Sequence, residues 1–273
     1  MVILNKENFP NLRFRCAVAD ELGINEGDVI TDEMIAEISS LEVKEKHITD
    51  LTGIEYFTEL DWLDCRENHL RTLDLTKNTK LAYLYASYNK LTSLDVSKNT
   101  ALTNLSCHDN QLTTLDVSKN TALQHLYCWD NQLTSLDVSG CASLEHLWCY
   151  GNQLTSLDVS KNKELIYLDC HHNQLTSLDV SKNTKLIDLY CHHNQLASLD
   201  VSKNEHIETI FFNGNRLDSD GLLSFIDSLP IKGEDVIAAF YDKSNELTRE
   251  QSKRVLSRGW YLYQNDELIS GNG

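Results

Sequence analysis

The histidines of this chain recur at a spacing that would suit metal ligation. The dipeptide His171-His172 is followed 21 residues later by the dipeptide His192-His193. If neighbouring parallel strands carry the two dipeptides in register, equivalent imidazoles lie about 4.8 Å apart. Two imidazoles at this distance would suit zinc. Candidates for a third ligand are Asp169 and Asp188.

A second interpretation of these histidines needs no metal. Side chains that recur at one position of a repeat meet by geometry alone, and no serine or cysteine is singled out as a nucleophile by its surroundings. We therefore predict that the protein is not an enzyme, uses no cofactor and has no metal site. The imidazoles would instead make ligand binding sensitive to pH between about 5 and 7.

The spacing of the histidines is that of an internal repeat. Leucine occupies the first position of successive units at an unbroken step of 21 residues. A fixed period of this length predicts a solenoid, in which each turn buries its apolar face only against its neighbours. The leucines that mark the step are Leu70, Leu91, Leu112, Leu133, Leu154, Leu175 and Leu196.

Each unit contains one segment with the alternation of a β-strand. In one unit Leu102, Leu105 and Cys107 are the apolar positions, and Asn110 follows them. Inward apolar residues alternate there with outward variable residues, which is the period of two that a strand requires. Stacked turns are therefore predicted to form one parallel sheet with a leucine core behind it.

This pattern, with LDVSKNTAL as the spacer, resembles the leucine-rich repeat family and in particular its short bacterial, internalin-like branch. The resemblance covers residues 51–216. It implies an α/β solenoid, a right-handed leucine-rich repeat coil with one parallel sheet on its concave face. It also implies a protein that is secreted or displayed on a bacterial surface. Because the sequence MVILNKENFP does not form a signal peptide, we expect a mature protein whose leader is not present in this chain, or else a cytoplasmic protein.

The residues on either side of the repeats do not follow the period. Residues 1–50 are predicted to form a helical N-terminal cap, with one helix that ends at Gly23 and a second that begins at Thr31. The predicted buried side of the first helix consists of Phe9, Leu12, Phe14, Val18 and Leu22.

Residues 217–273 are predicted to form a C-terminal cap of the βαβ type, which continues the parallel sheet and closes its far edge. The predicted elements are a helix from Asp218 to Leu229, a strand from Val236 to Tyr241, a helix from the capping box of Thr248 and Gln251 to Gly259, and a strand from Trp260 to Tyr263.

Five of the eight cysteines occupy one inward position in successive units, and Cys65, Ala86 and Phe212 occupy that position in the other units. A place that accepts alanine and phenylalanine requires an apolar filler, so we predict a buried ladder of reduced thiols. Disulfides are the alternative, but in-register Cβ atoms about 4.8 Å apart exceed the 3.5–4.5 Å that a bridge prefers. The five are Cys107, Cys128, Cys149, Cys170 and Cys191.

Function is expected where the repeats differ, which is at the outward positions on and beside each strand. Tyrosine, tryptophan and histidine are concentrated there, and the first two dominate binding hot spots. The alternative is a ladder of rings that only stiffens the sheet. The predicted ligand-binding residues of the concave face are Trp62, Tyr83, Tyr85, His108, His125, Tyr127, Trp129, His146, Trp148, Tyr150, Tyr167, Asp169, His171, Asp188, Tyr190, His192 and Phe211.

The charge of the chain limits the partner. A net charge of −17 argues against nucleic acid, which requires a footprint of lysine and arginine. The predicted face carries many carboxylates and a lone Arg66, so we predict another protein with a basic or mixed surface as the partner. A glycan is the alternative ligand. No apolar run approaches the roughly 20 residues that would cross a bilayer, and closed ends favour a monomer.

Overall fold

The computed structural model describes residues 1–231 and 247–260, together with the backbone of residues 262–264 and 267–269. Within it the chain divides into two compact units, Met1–Leu136 and Asp137–Gly273. The predicted strand Val236–Tyr241 lies outside the described residues.

The first unit begins with two short helices and an antiparallel strand pair. The first helix ends at Gly23, which has a φ of 63°, and the side chain of Thr31 accepts a hydrogen bond from the Met34 amide to cap the second helix. Both predicted boundaries are confirmed. Leu12 is 59% exposed although it was expected to be buried, because it is the first residue of its helix. The elements are β1 (Val2–Ile3), α1 (Leu12–Leu22), β2 (Val29–Ile30) and α2 (Asp32–Glu37).

Five parallel strands follow in the first unit. Successive strands pair in register, so Leu63, Leu84 and Leu105 lie side by side and are fully buried. The first of these strands comes from the segment that was predicted to be the cap. The elements are β3 (Ser40–Glu42), a 3-10 helix (Ile54–Tyr56), β4 (Trp62–Asp64), β5 (Tyr83–Tyr85), β6 (Asn104–Ser106) and β7 (His125–Tyr127).

The second unit continues the same pattern with four parallel strands. Leu147, Leu168 and Leu189 pair in register and are fully buried, and Ile210 takes the equivalent place in the last of them. The strands are β8 (His146–Trp148), β9 (Tyr167–Asp169), β10 (Asp188–Tyr190) and β11 (Thr209–Phe211). The predicted leucine-rich repeat solenoid is thereby confirmed in both units.

The end of the second unit differs from its prediction in one respect. Asp218 and Thr248 cap their helices as expected, and Thr248 forms the predicted capping box with Gln251. The final strand, however, pairs antiparallel with its neighbour in a separate two-stranded sheet. This pairing was not predicted. The predicted extension of the parallel sheet stays a prediction, because the strand through which it would run, Val236–Tyr241, lies outside the described residues. The elements are α3 (Ser219–Ser228), α4 (Arg249–Ser257), β12 (Leu262–Gln264) and β13 (Glu267–Ile269).

Buried asparagines connect successive turns of the solenoid. The Asn110 amide accepts a hydrogen bond from the Leu91 N–H at 2.9 Å and donates to the carbonyls of Ala86 and Cys107 at 3.0 and 3.1 Å. Asn110 therefore satisfies backbone groups of the preceding turn. An aspartate also recurs in each unit and has a local role, since Asp95 accepts from the Ser97 amide at 2.9 Å.

A second asparagine column was not predicted. Asn120 is fully buried and donates to the carbonyls of Val96 and Asn99 at 3.1 and 2.8 Å. Cys141 takes the equivalent position one unit later and is also fully buried. Cys141, which lies outside the cysteine ladder, is therefore a member of this column. The remaining asparagines of the column are Asn78, Asn99, Asn162, Asn183 and Asn204.

The residue immediately before the asparagine that follows each strand of the repeats has a left-handed backbone. Tyr88, His172 and His193 have φ values of 55°, 49° and 51°, whereas Gly151 and Gly214 occupy the same position with values of 62° and 64°. A left-handed residue re-directs the chain as it leaves the strand. Gly151, one turn before His172, and Gly214, one turn after His193, therefore place no side chain beside these two histidines.

Candidate functional site

The two outer residues of each strand point away from the leucine core. Most of the predicted binding residues are partly exposed there, Tyr83 is 41% exposed, and only His108 and Asp169 are buried, each 8% exposed. Those that are partly exposed are Trp62, Tyr85, His125, Tyr127, Trp129, His146, Trp148, Tyr150, Tyr167, His171, Asp188, Tyr190, His192 and Phe211.

In the first unit the rings form a packed cluster beside β6 and β7. The imidazole of His108 stacks on the indole of Trp129 with centroids 3.6 Å apart, and the Tyr88 ring meets its edge. Tyr127 packs edge-on against Trp129 at 5.9 Å. Because His108 is covered in this way, burial lowers its pKa. The outer surface of this cluster is therefore formed by Tyr88, Tyr127 and Trp129 rather than by His108.

The lone arginine of the predicted face has its charge neutralised. Arg66 donates to both oxygens of Asp64, which is 2% exposed, and its guanidinium lies 5.2 Å from the centre of the Tyr85 ring. Trp62 packs against Tyr85 at 5.9 Å. Asp64 is consequently occupied within the chain and is not available to a partner.

In the second unit five rings form a continuous run across β8 to β11. Tyr167 and Tyr190 are stacked with centroids 5.4 Å apart, and Tyr190 and Phe211 are stacked at 4.8 Å. His146 lies parallel to Tyr167 at 5.9 Å, and Trp148 is tilted against the same ring at 5.4 Å. We call this set of five side chains the ring run.

A cluster of histidines lies beside the ring run, at the ends of β9 and β10. His171 stacks between Tyr150 at 4.3 Å and His192 at 4.2 Å. His172 stacks on His193 at 4.4 Å and is nearly perpendicular to both His171 and His192. The two columns expected from the sequence are therefore joined into one group of four imidazoles, which we call the histidine cluster.

Two members of the histidine cluster have unusual electrostatic surroundings. His171 Nδ1 lies 2.5 Å from a carboxylate oxygen of Asp169, which is itself buried. Burial, followed by repulsion from the three neighbouring imidazoles, lowers the pKa of His192 to about 3. His192 Nδ1 is also buried and has no hydrogen-bond partner within the described part of the chain.

The acidic residues of the face divide into two groups. Asp64, Asp109 and Asp169 each pair with a basic side chain of the same face. Asp188 and Glu208 form no salt bridge within the described residues, and both lie next to the ring run. Asp188 and Glu208 are therefore available to attract a cation from solution.

Three residues of this surface were not among the predicted binding residues. Tyr88, His172 and His193 follow the strands and were left out because the alternation of a strand does not extend to them. Their left-handed backbone places them beside the rings of the neighbouring turn. The signal that could have identified them is their shared place immediately before a buried asparagine, where three units carry an aromatic ring.

Comparison with known proteins places the repeat in a family. A family profile described as Leucine Rich repeats (2 copies) matches residues 121–162. The chain is 41% identical over 71 residues to Internalin J of Listeria monocytogenes serotype 4b (strain F2365), a match that covers 26% of this chain and 8% of that protein. The matched region is thus a small part of the relative.

Solved structures extend the likeness over the whole fold. A structure described as the functional domain of InlJ from Listeria monocytogenes, which includes a cysteine ladder, has a TM-score of 0.71 and 32% identity. The alignment covers 96% of this chain and 61% of that one. The internalin InlF of the same species has the same fold, with a TM-score of 0.54, 19% identity and 97% of each chain covered.

The five predicted cysteines are likewise fully buried free thiols at one position of successive turns. Together with the 21-residue unit and the parallel strands, these likenesses show that the chain is an internalin-like leucine-rich repeat protein.

Proposed function

We propose that this protein is a non-enzymatic binding module that recognises another protein through the outward face of its sheet. The observation that carries the proposal is the ring run, in which Tyr167, Tyr190 and Phe211 stay partly exposed side by side with the carboxylate of Asp188. Leucine-rich repeat proteins of this kind generally bind proteins. A contiguous aromatic patch in water is a liability unless a partner covers it.

The geometry of the ring run favours tight association. Each ring is held by its neighbours, so its rotamer is already restricted before a partner arrives. Binding then loses less side-chain entropy than it would with flexible side chains. Tyrosine and tryptophan also combine apolar area with a polar group, which is the usual character of a hot spot.

The charges beside the ring run indicate the kind of partner. Asp188 and Glu208 have no cationic partner in the described residues, and the net charge of the chain is −17. Lysine or arginine on the partner would pair with these carboxylates at the rim of the interface. Association should accordingly slow as salt is added, because the Debye length falls from about 10 Å at 0.1 M to about 3 Å at 1 M.

A glycan ligand is less well supported by the ring geometry. Sugars stack on an open ring face, but Tyr190 has one face against Tyr167 and the other against Phe211. The exposed parts of this ring are its edge and its hydroxyl group. Those parts suit contacts with protein side chains and backbone better than stacking on a sugar.

The location follows from the same comparison. We infer a secreted or cell-surface protein from the likeness to internalins. We also propose that it acts as a monomer, on the ground of the closed ends predicted from the sequence. In the part of the chain that the structure describes, none of the helices has the length and apolar character needed to cross a bilayer.

The proposal is tested by presenting the immobilised chain to a panel of purified host and bacterial surface proteins and, separately, to a glycan array. The variant under test carries Trp148→Ala and Tyr190→Ala; the matched control carries Thr155→Ala and Thr176→Ala, two exposed spacer substitutions. We expect a protein ligand whose affinity falls by roughly 30-fold or more in the ring variant, equal to about 2 kcal/mol, and is unchanged in the control.

Two outcomes would contradict the proposal. Glycan binding that is indifferent to salt would replace the protein partner by a sugar. A ring variant that retains every captured ligand while its urea midpoint falls would leave the rings with a stabilising role only.

A further inference from the structure

We propose that His171, His172 and His192 form a binding site for a borderline transition-metal ion such as Zn²⁺. The inference does not depend on the proposed function, because it concerns the histidine cluster and needs no protein partner. It also revises the prediction from the sequence that the chain has no metal site.

The positions of the ligand atoms are the first argument. One imidazole nitrogen from each of the three histidines lies within 4.8 Å of the other two. In a tetrahedral zinc site with bonds of 2.0–2.1 Å, ligand nitrogens are about 3.4 Å apart. The longest separation therefore has to shorten by at most about 1.4 Å. His171 and His192 are stacked at an interplanar angle of 9°, so metal binding requires His192 to turn until its lone pair points toward the ion, while His171 keeps its hydrogen bond to Asp169.

The second argument is the carboxylate behind His171. Asp169 lies 2.5 Å from His171 Nδ1 and is 8% exposed, so the hydrogen bond is partly buried. When His171 donates from Nδ1, its Nε2 carries the lone pair and faces away from Asp169. A carboxylate that orients a histidine in this way is the usual outer partner of a metal-bound imidazole.

The third argument is the unsatisfied nitrogen of His192. A buried polar atom without a partner is uncommon and calls for an explanation. His192 Nδ1 is such an atom, and it lies in a ring that contacts both His171 and His172. A metal ion in the middle of the cluster would use a lone pair of this ring.

Access to the cluster is open on the side of His172. This residue is exposed, and the equivalent position one turn earlier is Gly151, which has no side chain to cover it. On the far side Gly214 is needed because a Cβ there would lie 2.5 Å from His193 Nδ1. The chain therefore keeps space on both sides of the paired histidines, and water would complete the coordination.

The chemistry of the ligands limits the metal. Neutral imidazoles suit Zn²⁺, Cu²⁺ and Ni²⁺, whereas Ca²⁺ and Mg²⁺ require mainly oxygen ligands. The site has three nitrogens and a single carboxylate that is already hydrogen-bonded to His171. Selectivity for Zn²⁺ over Ca²⁺ is therefore expected.

The test uses the full chain without an affinity tag, in a Cys16→Ser background that removes the exposed thiol. Zn²⁺ is titrated by calorimetry and against a chromophoric chelator, and Co²⁺ serves as a spectroscopic probe. We expect one Zn²⁺ per chain and visible d–d bands of Co²⁺. Affinity should fall at least tenfold in His192→Gln and in His171→Gln, and stoichiometric binding should disappear in the double variant.

Two controls separate this site from scattered histidines. His206→Gln removes an exposed histidine away from the cluster, and His47→Gln with His69→Gln removes a pair whose ring nitrogens lie 3.4 Å apart. Neither control should change the stoichiometry or the affinity of the Zn²⁺ site. Far-UV circular dichroism of each variant, with and without metal, shows whether it is folded.

Asp169→Asn tests the positioning role of the carboxylate. Zn²⁺ affinity should fall by about tenfold, the lower end of what loss of such a partner produces. Nitrogen NMR of His171 supplies a readout that a structural role would not move, because the Nδ1–H tautomer should lose its dominance in the variant. The inference is overturned if no Zn²⁺ binds stoichiometrically, or if His171→Gln with His192→Gln, shown to be folded, binds it as tightly as the parent chain.

Discussion

Cysteine takes two different roles in this chain according to its place in the fold. Cys16 lies on α1 and is exposed, whereas the other seven cysteines are buried. Burial raises the pKa of Cys107 to about 12 and that of Cys141 to about 11. Because the thiolate is the reactive form, the buried thiols should be inert at neutral pH.

A thiol titration checks this difference. With a colorimetric disulfide reagent at pH 8, we expect one thiol per native chain to react rapidly and all eight to react in denaturant without a reducing agent. In Cys16→Ser the rapid phase should vanish. If fewer than eight thiols react after unfolding, disulfides form in the ladder. If several thiols of the native chain react rapidly, the buried cysteines are accessible to the reagent.

Residue roles on the sheet were predictable only in part from the sequence. The alternation in each unit correctly placed Tyr167, Tyr190 and Phe211 on the outward side. It also placed His108 there, but the structure covers His108 with Trp129 and Tyr88. The pattern of one strand specifies a direction, whereas coverage depends on the size of the side chains in the neighbouring turns.

At the scale of the element, the turn is held to its neighbour by side-chain amides as well as by the strand ladder. Asn110 is 9% exposed and bonds to both the Leu91 N–H and the Ala86 carbonyl of the preceding turn. These are buried backbone groups, and Asn110 alone supplies the partner of the Leu91 amide among the described hydrogen bonds. Loss of the amide leaves a donor and acceptors unpaired in a region from which water is excluded.

We therefore expect Asn110→Ala to lower the free energy of unfolding by about 2–4 kcal/mol, from desolvated groups that lose their partners. Urea denaturation followed by circular dichroism measures the change. Gln111→Ala alters an exposed side chain next in sequence and should change stability by less than about 0.5 kcal/mol. A loss for Asn110→Ala no larger than that of the control would mean that water replaces the amide.

Local signals in the sequence predicted the ends of the helices well, but they did not predict that β12 pairs with β13. Gly23, Thr31 and Thr248 act through atoms within a few residues, so their effect can be inferred without knowing the fold. The pairing of β12 depends on a choice between the edge of the parallel sheet and a nearby segment. Propensity and pattern do not rank those two partners, because both offer the same backbone hydrogen bonds.

At the scale of the whole molecule, the repeat makes stability approximately additive. Each turn contacts the turns before and after it through the same leucine, asparagine and strand positions. The free energy of unfolding is then approximately the sum of the intrinsic stability of each turn and the interaction free energy between adjacent turns. The unbroken step of 21 residues is what keeps every column in register, so the length of a deletion should matter less than its phase.

Two deletions test this expectation. Removal of residues 112–132 deletes one complete unit and joins Gln111 to Leu133, which occupies the same position of the repeat as Leu112. All columns stay in register, and we expect a folded chain with a cooperative urea transition and an m value about a tenth smaller, since m scales with the surface exposed on unfolding. The matched control removes only residues 112–122 and joins Gln111 to Leu123.

The control keeps the strand of the following unit but deletes the spacer that returns the chain to the start of the next turn. The control deletion removes about half as many residues as the longer deletion. It nevertheless removes two buried residues of the return segment, Leu115 and Val117. We expect loss of the cooperative transition in the control and its retention in the longer deletion, as measured by circular dichroism during urea denaturation. Equal stability of the two deletions would mean that the return segments contribute little, and that the strands alone hold the solenoid together.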